Sequence, residues 1–120
     1  MILKALNTIL KAESINDVYP VIIPQGIELP ASTMQLIGDE PNPAKGETSQ
    51  FNELSVQIST FANNYSDSIS RDQQIKTILD GYRGKPDNMD ILIIYDGATD
   101  LYENETGVYH RATTYKILKS

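Results

Sequence analysis

Apolar positions along the chain fall into short runs whose spacing switches between helical and alternating. Ile2, Leu3, Leu6, Ile9 and Leu10 recur at helical spacing, so a first helix is expected from about Ile2 to Lys11, followed by a turn at Asn16-Asp17. The segment from Val18 to Pro24 is β-prone, but its two prolines cannot donate ladder hydrogen bonds, which predicts an edge strand or an extended arm. Gln25-Gly26 reads as a turn. Pro30 to Ile37 reads as the next strand, with Ala31, Thr33, Gln35 and Ile37 opposite Ser32, Met34 and Leu36. Gly38 to Thr48 has no periodicity and is rich in Pro, Gly and charge, so a long exposed loop is expected there.

Gln50 to Ala62 has the cleanest alternation in the chain. Leu54, Val56, Ile58 and Thr60 alternate with Glu53, Ser55, Gln57 and Ser59, which predicts one core face and one wet or polar-partnered face. A turn at Asn63 to Asp67 offers Ser66 and Asp67 as helix-capping candidates. Ile69, Ile75, Ile78, Leu79 and Tyr82 then form a helical stripe, with Gly81 or Gly84 able to end the helix. That stripe reads as core-facing amphipathicity. Met89 to Tyr95 is apolar on both faces, the mark of the most buried, central strand. Asp96 to Gly107 is expected to be an acidic connection. Gly107 to Leu118 reads as a long closing strand with no clean inside: Tyr109, Arg111, Thr113, Tyr115 and Ile117 on one face, Val108, His110, Ala112, Thr114, Lys116 and Leu118 on the other.

The order is helix, two or three strands, a long strand, helix, strand, strand. This is an α+β arrangement: a mostly antiparallel sheet of four to five strands with two helices packed on one face. The 120 residues suggest a single domain, 1–120, large enough to bury its own core.

Composition narrows the chemistry. There are no cysteines, which removes disulfides, thiolate metal sites and cysteine nucleophiles, and the one histidine, His110, excludes a histidine-rich metal site within one chain. A net charge of −6 argues against gripping a nucleic-acid backbone, although DNA could slide past such a surface. The start lacks the long apolar core of a signal peptide, and no segment approaches the length of a membrane helix, so a soluble protein made inside the cell is expected. Seven tyrosines and no tryptophan favour interface roles for some of the rings.

Catalytic constellations are hard to find. Asp96, Asp100 and Glu103 form the densest carboxylate cluster and are weak candidates for a divalent cation, but their spacing fails the calcium-loop pattern and suits a solvated connection better. His110 with Asp96 or Asp100 could be a base and its orienter, yet no serine stands in a nucleophile-elbow context, so His110 reads as an ordinary strand residue. Gly81 to Lys85 looks faintly like a phosphate loop, but it follows a helix rather than opening one. No catalytic residue, cofactor site or enzymatic activity is expected.

The layout resembles the tail terminator, or tail-completion, proteins of long-tailed bacteriophages, also called minor tail proteins, which sit at the tail-to-head junction. Four features carry the likeness: the short helix Ile2–Leu10 leading to Val18-Tyr19-Pro20; the strand entered through proline at Leu29–Leu36; the alternating strand Phe51–Phe61 passing into the helix Ser66–Leu79; and the closing strand Val108–Ile117, with its Arg, Thr and Tyr. The resemblance implies a non-enzymatic virion protein of the tail and neck, assembled in the host cytoplasm. It implies a hexameric ring that caps the tail tube, ends tube polymerisation and presents a joining surface to the head-side connector or head-closure protein. DNA would pass through the lumen without specific binding, and no membrane is involved. An acidic lumen would repel phosphate and let DNA slide.

A ring needs heterologous contacts, in which one patch meets a different patch on the neighbour. Charge and expected exposure single out Asp39, Glu40, Lys45 and Glu47 on one loop. A second set pairs Asp96, Asp100 and Glu103 with Arg83 and Lys85 of a neighbour. Tyr109 and Arg111 on the closing strand complete the candidate subunit or tail-tube interface. Rival readings are another neck or head-closure connector, an unrelated small α+β protein-binding module, and an enzyme using the acidic loop.

Overall fold

In a computed structural model, residues 2–41, 52–88 and 90–119 are described. Helix α1 (Ile2–Ala12) buries Ile2, Ala5, Leu6, Ile9 and Leu10, one stripe at three- and four-residue spacing. Lys11 in its last turn suits the negative end of the helix dipole. Strand β1 (Val18–Pro20) follows, then β2 (Ala31–Pro41), β3 (Asn52–Ala62), α2 (Tyr65–Leu79), the two-residue β4 (Arg83–Gly84), a 3-10 turn (Pro86–Asn88), β5 (Ile91–Glu103) and β6 (Val108–Lys119).

The strands form one six-stranded sheet in the order β1-β2-β3-β6-β5-β4. β1 runs parallel to β2, and the other pairs are antiparallel. Register fixes the faces. Met34 stands beside Ile58, Ile58 beside Thr113, and Val56 beside Tyr115, so these residues share the side on which both helices pack. Their side chains join Leu6 and Leu10 of α1 and Ile75 and Leu79 of α2 in one buried cluster with Ile93 and Ile117. The opposite face of the sheet carries no helix among the described residues.

The α+β class and the placement of both helices on one face follow the expectation, but the sheet differs in detail. It has six strands rather than four to five, and although it is mostly antiparallel, β1 pairs with β2 in parallel, which makes it mixed. β4 is too short to show a period in sequence, and β1 is parallel because the segment 21–30 carries the chain back before β2 begins. The Met89–Tyr95 run is not central. β5 lies next to the edge, while β3 and β6 occupy the middle. Its double apolarity has a local cause: Ile91 and Ile93 face the core, whereas Ile94 is 43% exposed on the other side.

The expected connection Asp96–Gly107 is mostly strand. β5 continues to Glu103, and a short turn closed by Gly107 N–H donating to Glu103 C=O (2.8 Å) leads into β6. Asp96 and Gly97 form a bulge, both standing opposite the one step between Thr113 and Tyr115. Gly97 adopts φ +122°, a backbone state that side-chain-bearing residues rarely take. In place of the loop expected from Gly38, Gly38–Pro41 extends β2; residues 42–48 of that expectation lie outside the described residues. Helix α2 is capped by Asn64, whose side-chain oxygen accepts from Asp67 N–H at 2.8 Å, rather than by Ser66 or Asp67. Asp67 still occupies the first turn, where its charge suits the helix dipole. Past the helix end, Gly81 at φ +81° turns the chain toward β4.

Candidate interaction site

The buried stripe of α2 is Ser68, Asp72, Ile75 and Leu79, polar in its first half and apolar in its second. Asp72 therefore enters the protein interior over β6. Its two carboxylate oxygens accept from Thr113 Oγ1 (2.6 Å) and Arg111 Nε (2.7 Å), and Arg111 Nη1 also donates to Asp100 (2.8 Å). A buried carboxylate needs such partners, since an unpaired charge is costly away from water. Burial alone would lower the basicity of Arg111, but its hydrogen bonds to Asp72 and Asp100 outweigh that and hold its pKa above the usual value.

The bulge in β5 makes this network possible. Beyond it, Ala98, Asp100 and Tyr102 stand beside Thr113, Arg111 and Tyr109 on the helix-bearing face. Without the extra residue the alternation would put Asp100 on the opposite side. Around the network, Tyr65, Tyr102 and Tyr109 form an aromatic rim, with ring centroids 6.0 Å apart for Tyr65–Tyr109 and 4.8 Å for Tyr102–Tyr109. Tyr65 donates to Asp100 at 3.1 Å, and this bond raises its phenol pKa. Together with Ser68, Leu101 and His110 these residues line a cleft of about 200 Å³.

The helix-free face is polar and only partly covered. Gln57 donates to Ser59 (3.0 Å), and Phe61 stacks on His110 with centroids 4.4 Å apart. Burial pushes the His110 pKa below its ordinary value, opposed by the nearby Glu103 charge. Val21, Ile22 and Ile23 lie over one end of this face, lining a depression with Thr33 and Phe61. Val21 and Ile22 remain 57% and 72% exposed.

The structure places the sequence-derived candidates as follows. Asp39 and Glu40 lie on the β2 backbone, and Lys45 and Glu47 fall outside the described residues. Arg83 and Lys85 are exposed at the β4 end of β5, far along the strand from Asp100 and Glu103. Asp100 and Glu103 point to opposite faces of β5, and no group of three metal-ligating side chains converges among the described residues. Tyr109 and Arg111 are half-buried and engaged within the chain, beneath α2. Sequence reasoning missed Asp72, although its spacing from Ile75 and Leu79 puts it on the buried stripe. It also missed the exposed apolar residues Val21, Ile22 and Leu101, which no period distinguishes from core residues.

Among the described residues the arrangement is an α+β domain whose six-stranded sheet has both helices on one face and none on the other. No known family profile matches the chain, and no curated protein matches it. Among solved structures it is similar to a chain in the virion of a native gene transfer agent particle. The TM-score is 0.67 and the identity 11%, covering 95% of this chain and 83% of that one. At that identity the likeness is one of fold.

Proposed function

We propose that this protein is a structural component of a phage-like virion, located in the tail at the neck. It caps the tail tube as a ring, ends tube polymerisation and forms the joining surface to the head-side connector. The supporting observation is the fold shared along nearly the whole chain with a virion protein. The role is structural rather than enzymatic. A sheet with one closed face and one open face offers the unlike patches that a ring of identical subunits requires. The net charge of −6, multiplied around a ring, favours DNA passage over DNA capture.

In this reading the segment containing Asp39, Glu40, Lys45 and Glu47 faces the tail tube, and the exposed Arg83, Lys85 and Glu103 serve contacts with neighbours. Electron microscopy of the protein mixed with isolated tail tubes tests it. Ring density at tube ends and an arrest of tube growth are expected. Bare tubes alongside protein bound to portal complexes would assign it to the head side of the neck instead. Charge reversal at Lys45, Arg83 or Lys85 should weaken assembly and leave the monomer folded.

A further inference from the structure

The two flanks of the sheet are unlike each other in shape and charge. On one flank, β4 covers only Ile91 and Leu92 of β5, so Ala98–Glu103 has no strand beyond it among the described residues. This edge exposes Leu101 (50%) and Tyr102 (51%) on opposite faces of the sheet, among the exposed acids Asp96, Asp100 and Glu103. An uncovered edge with exposed apolar side chains is a liability unless something covers it.

On the other flank, α1 and the edge strand β1 enclose an apolar groove of about 210 Å³ lined by Leu3, Lys4, Asn7, Pro20 and Met34. The charged residues of α1 are Lys4 and Lys11, with no acid between them. The Asn7 side-chain oxygen is buried here without a hydrogen-bond partner, an acceptor lacking a donor. On the open side of the same flank stand Val21 and Ile22.

We infer that the β5 flank of one copy seats on the α1–β1 flank of the next, a contact that rests on the ring reading and names its two patches. Tyr102 lies on the helix-bearing side, as the groove does; its exposed ring seats in the mouth of the groove beside Lys4. Leu101 lies on the open side and meets Val21 and Ile22. Asp100, on the same side of β5 as Tyr102 and partly exposed, comes beside Lys4 of α1. A second copy is the fitting occupant because the two flanks carry charge of opposite sign, lysines on α1 and acids on β5, and each exposes apolar side chains that the other can cover. The patches differ, so the contact is heterologous and propagates from copy to copy. It is made by side chains, since Pro20 offers no N–H to a continuing ladder.

Because the chain has no cysteine, single cysteines report contacts unambiguously. Ile22→Cys and Leu101→Cys, both at exposed positions, are oxidised separately and as a mixture, free at high concentration and on tail tubes. The mixture should give cross-linked dimers, each variant alone none, and the double variant a ladder of multimers. Lys4→Glu should lower the cross-linked yield several-fold. Self-linking of either single variant would mean a two-fold contact and overturn the inference. Rings seen by microscopy without cross-links in the mixture would overturn it while leaving the ring intact, and tubes without rings would remove both.

Discussion

The Thr113 hydroxyl donates to the Asp72 carboxylate across 2.6 Å, joining the middle of α2 to the middle of the sheet. Asp72 is 1% exposed and Thr113 fully buried, so neither can turn to water if the other is lost. Arg111 completes the link and carries it outward to Asp100, whose side chain is 43% exposed.

This gradient of exposure ranks the substitutions. Asp72→Ala leaves Arg111 with Asp100 as its one remaining carboxylate and the buried Thr113 hydroxyl without an acceptor, and should cost about 3 kcal/mol, the scale of a broken buried pair. Thr113→Val leaves one carboxylate oxygen unpartnered and should cost about 1–2 kcal/mol. Asp100→Ala removes a solvent-screened pair and should cost about 0.5 kcal/mol. Urea unfolding of the three variants checks the order; an Asp100 variant as unstable as the Asp72 variant would contradict it.

Asn64 rather than Ser66 caps α2. Asn64→Ala should destabilise the protein by about 1 kcal/mol, whereas Ser66→Ala, at an exposed position inside the first turn, should stay within about 0.5 kcal/mol. Thermal unfolding of both variants decides between the two capping sites.

The Tyr115 hydroxyl is buried without a partner, and burial, followed by the nearby Asp72 and Asp80 charges, raises its pKa above the ordinary value of 10.0. The folded state therefore holds this proton after the unfolded chain has released it. The stabilising contribution is fully present below pH 10 and is lost as pH rises above it. Tyr115→Phe should be neutral or stabilising at pH 7, because it removes an unsatisfied polar atom, and should show a shallower alkaline loss. Stability curves from pH 8 to 11 for the two proteins measure this.

His110 behaves in the opposite sense. Burial lowers its pKa below 6.5, so between the folded and unfolded values the unfolded chain binds more protons. Its contribution is complete above pH 6.5 and declines as pH falls below it. His110→Phe, which keeps a ring against Phe61, should reduce the loss of stability between pH 7 and 5. Proton titration of His110 by NMR should give a midpoint below 6.5; a midpoint above it would show that Glu103 outweighs burial.

Much of the fold was legible wherever one side of an element contrasts with the other. The stripe Ile2, Leu6, Ile9, Leu10 and the alternation Leu54, Val56, Ile58 each identify an element and its core side, since burial of apolar area is the dominant local demand. The closing strand resisted that reading because both its sides are mixed. Only the structure assigns Tyr115 and Ile117 to the core and His110 and Lys116 to the open face.

The sequence by itself determined the α+β class, the two helices, the long strands and the acidic, cysteine-free character of the chain, because spacing and composition are local properties. The tertiary structure alone decided what stands beside what. A single extra residue at Asp96-Gly97 turns Asp100 toward Arg111, and the arrival of α2 makes Asp72 an interior anchor instead of a surface acid. The same holds at the edges. Leu101 and Ile22 look like core residues in sequence, and they stand exposed because β4 ends short of Leu101 on one flank and Ile22 lies past the end of the edge strand β1 on the other.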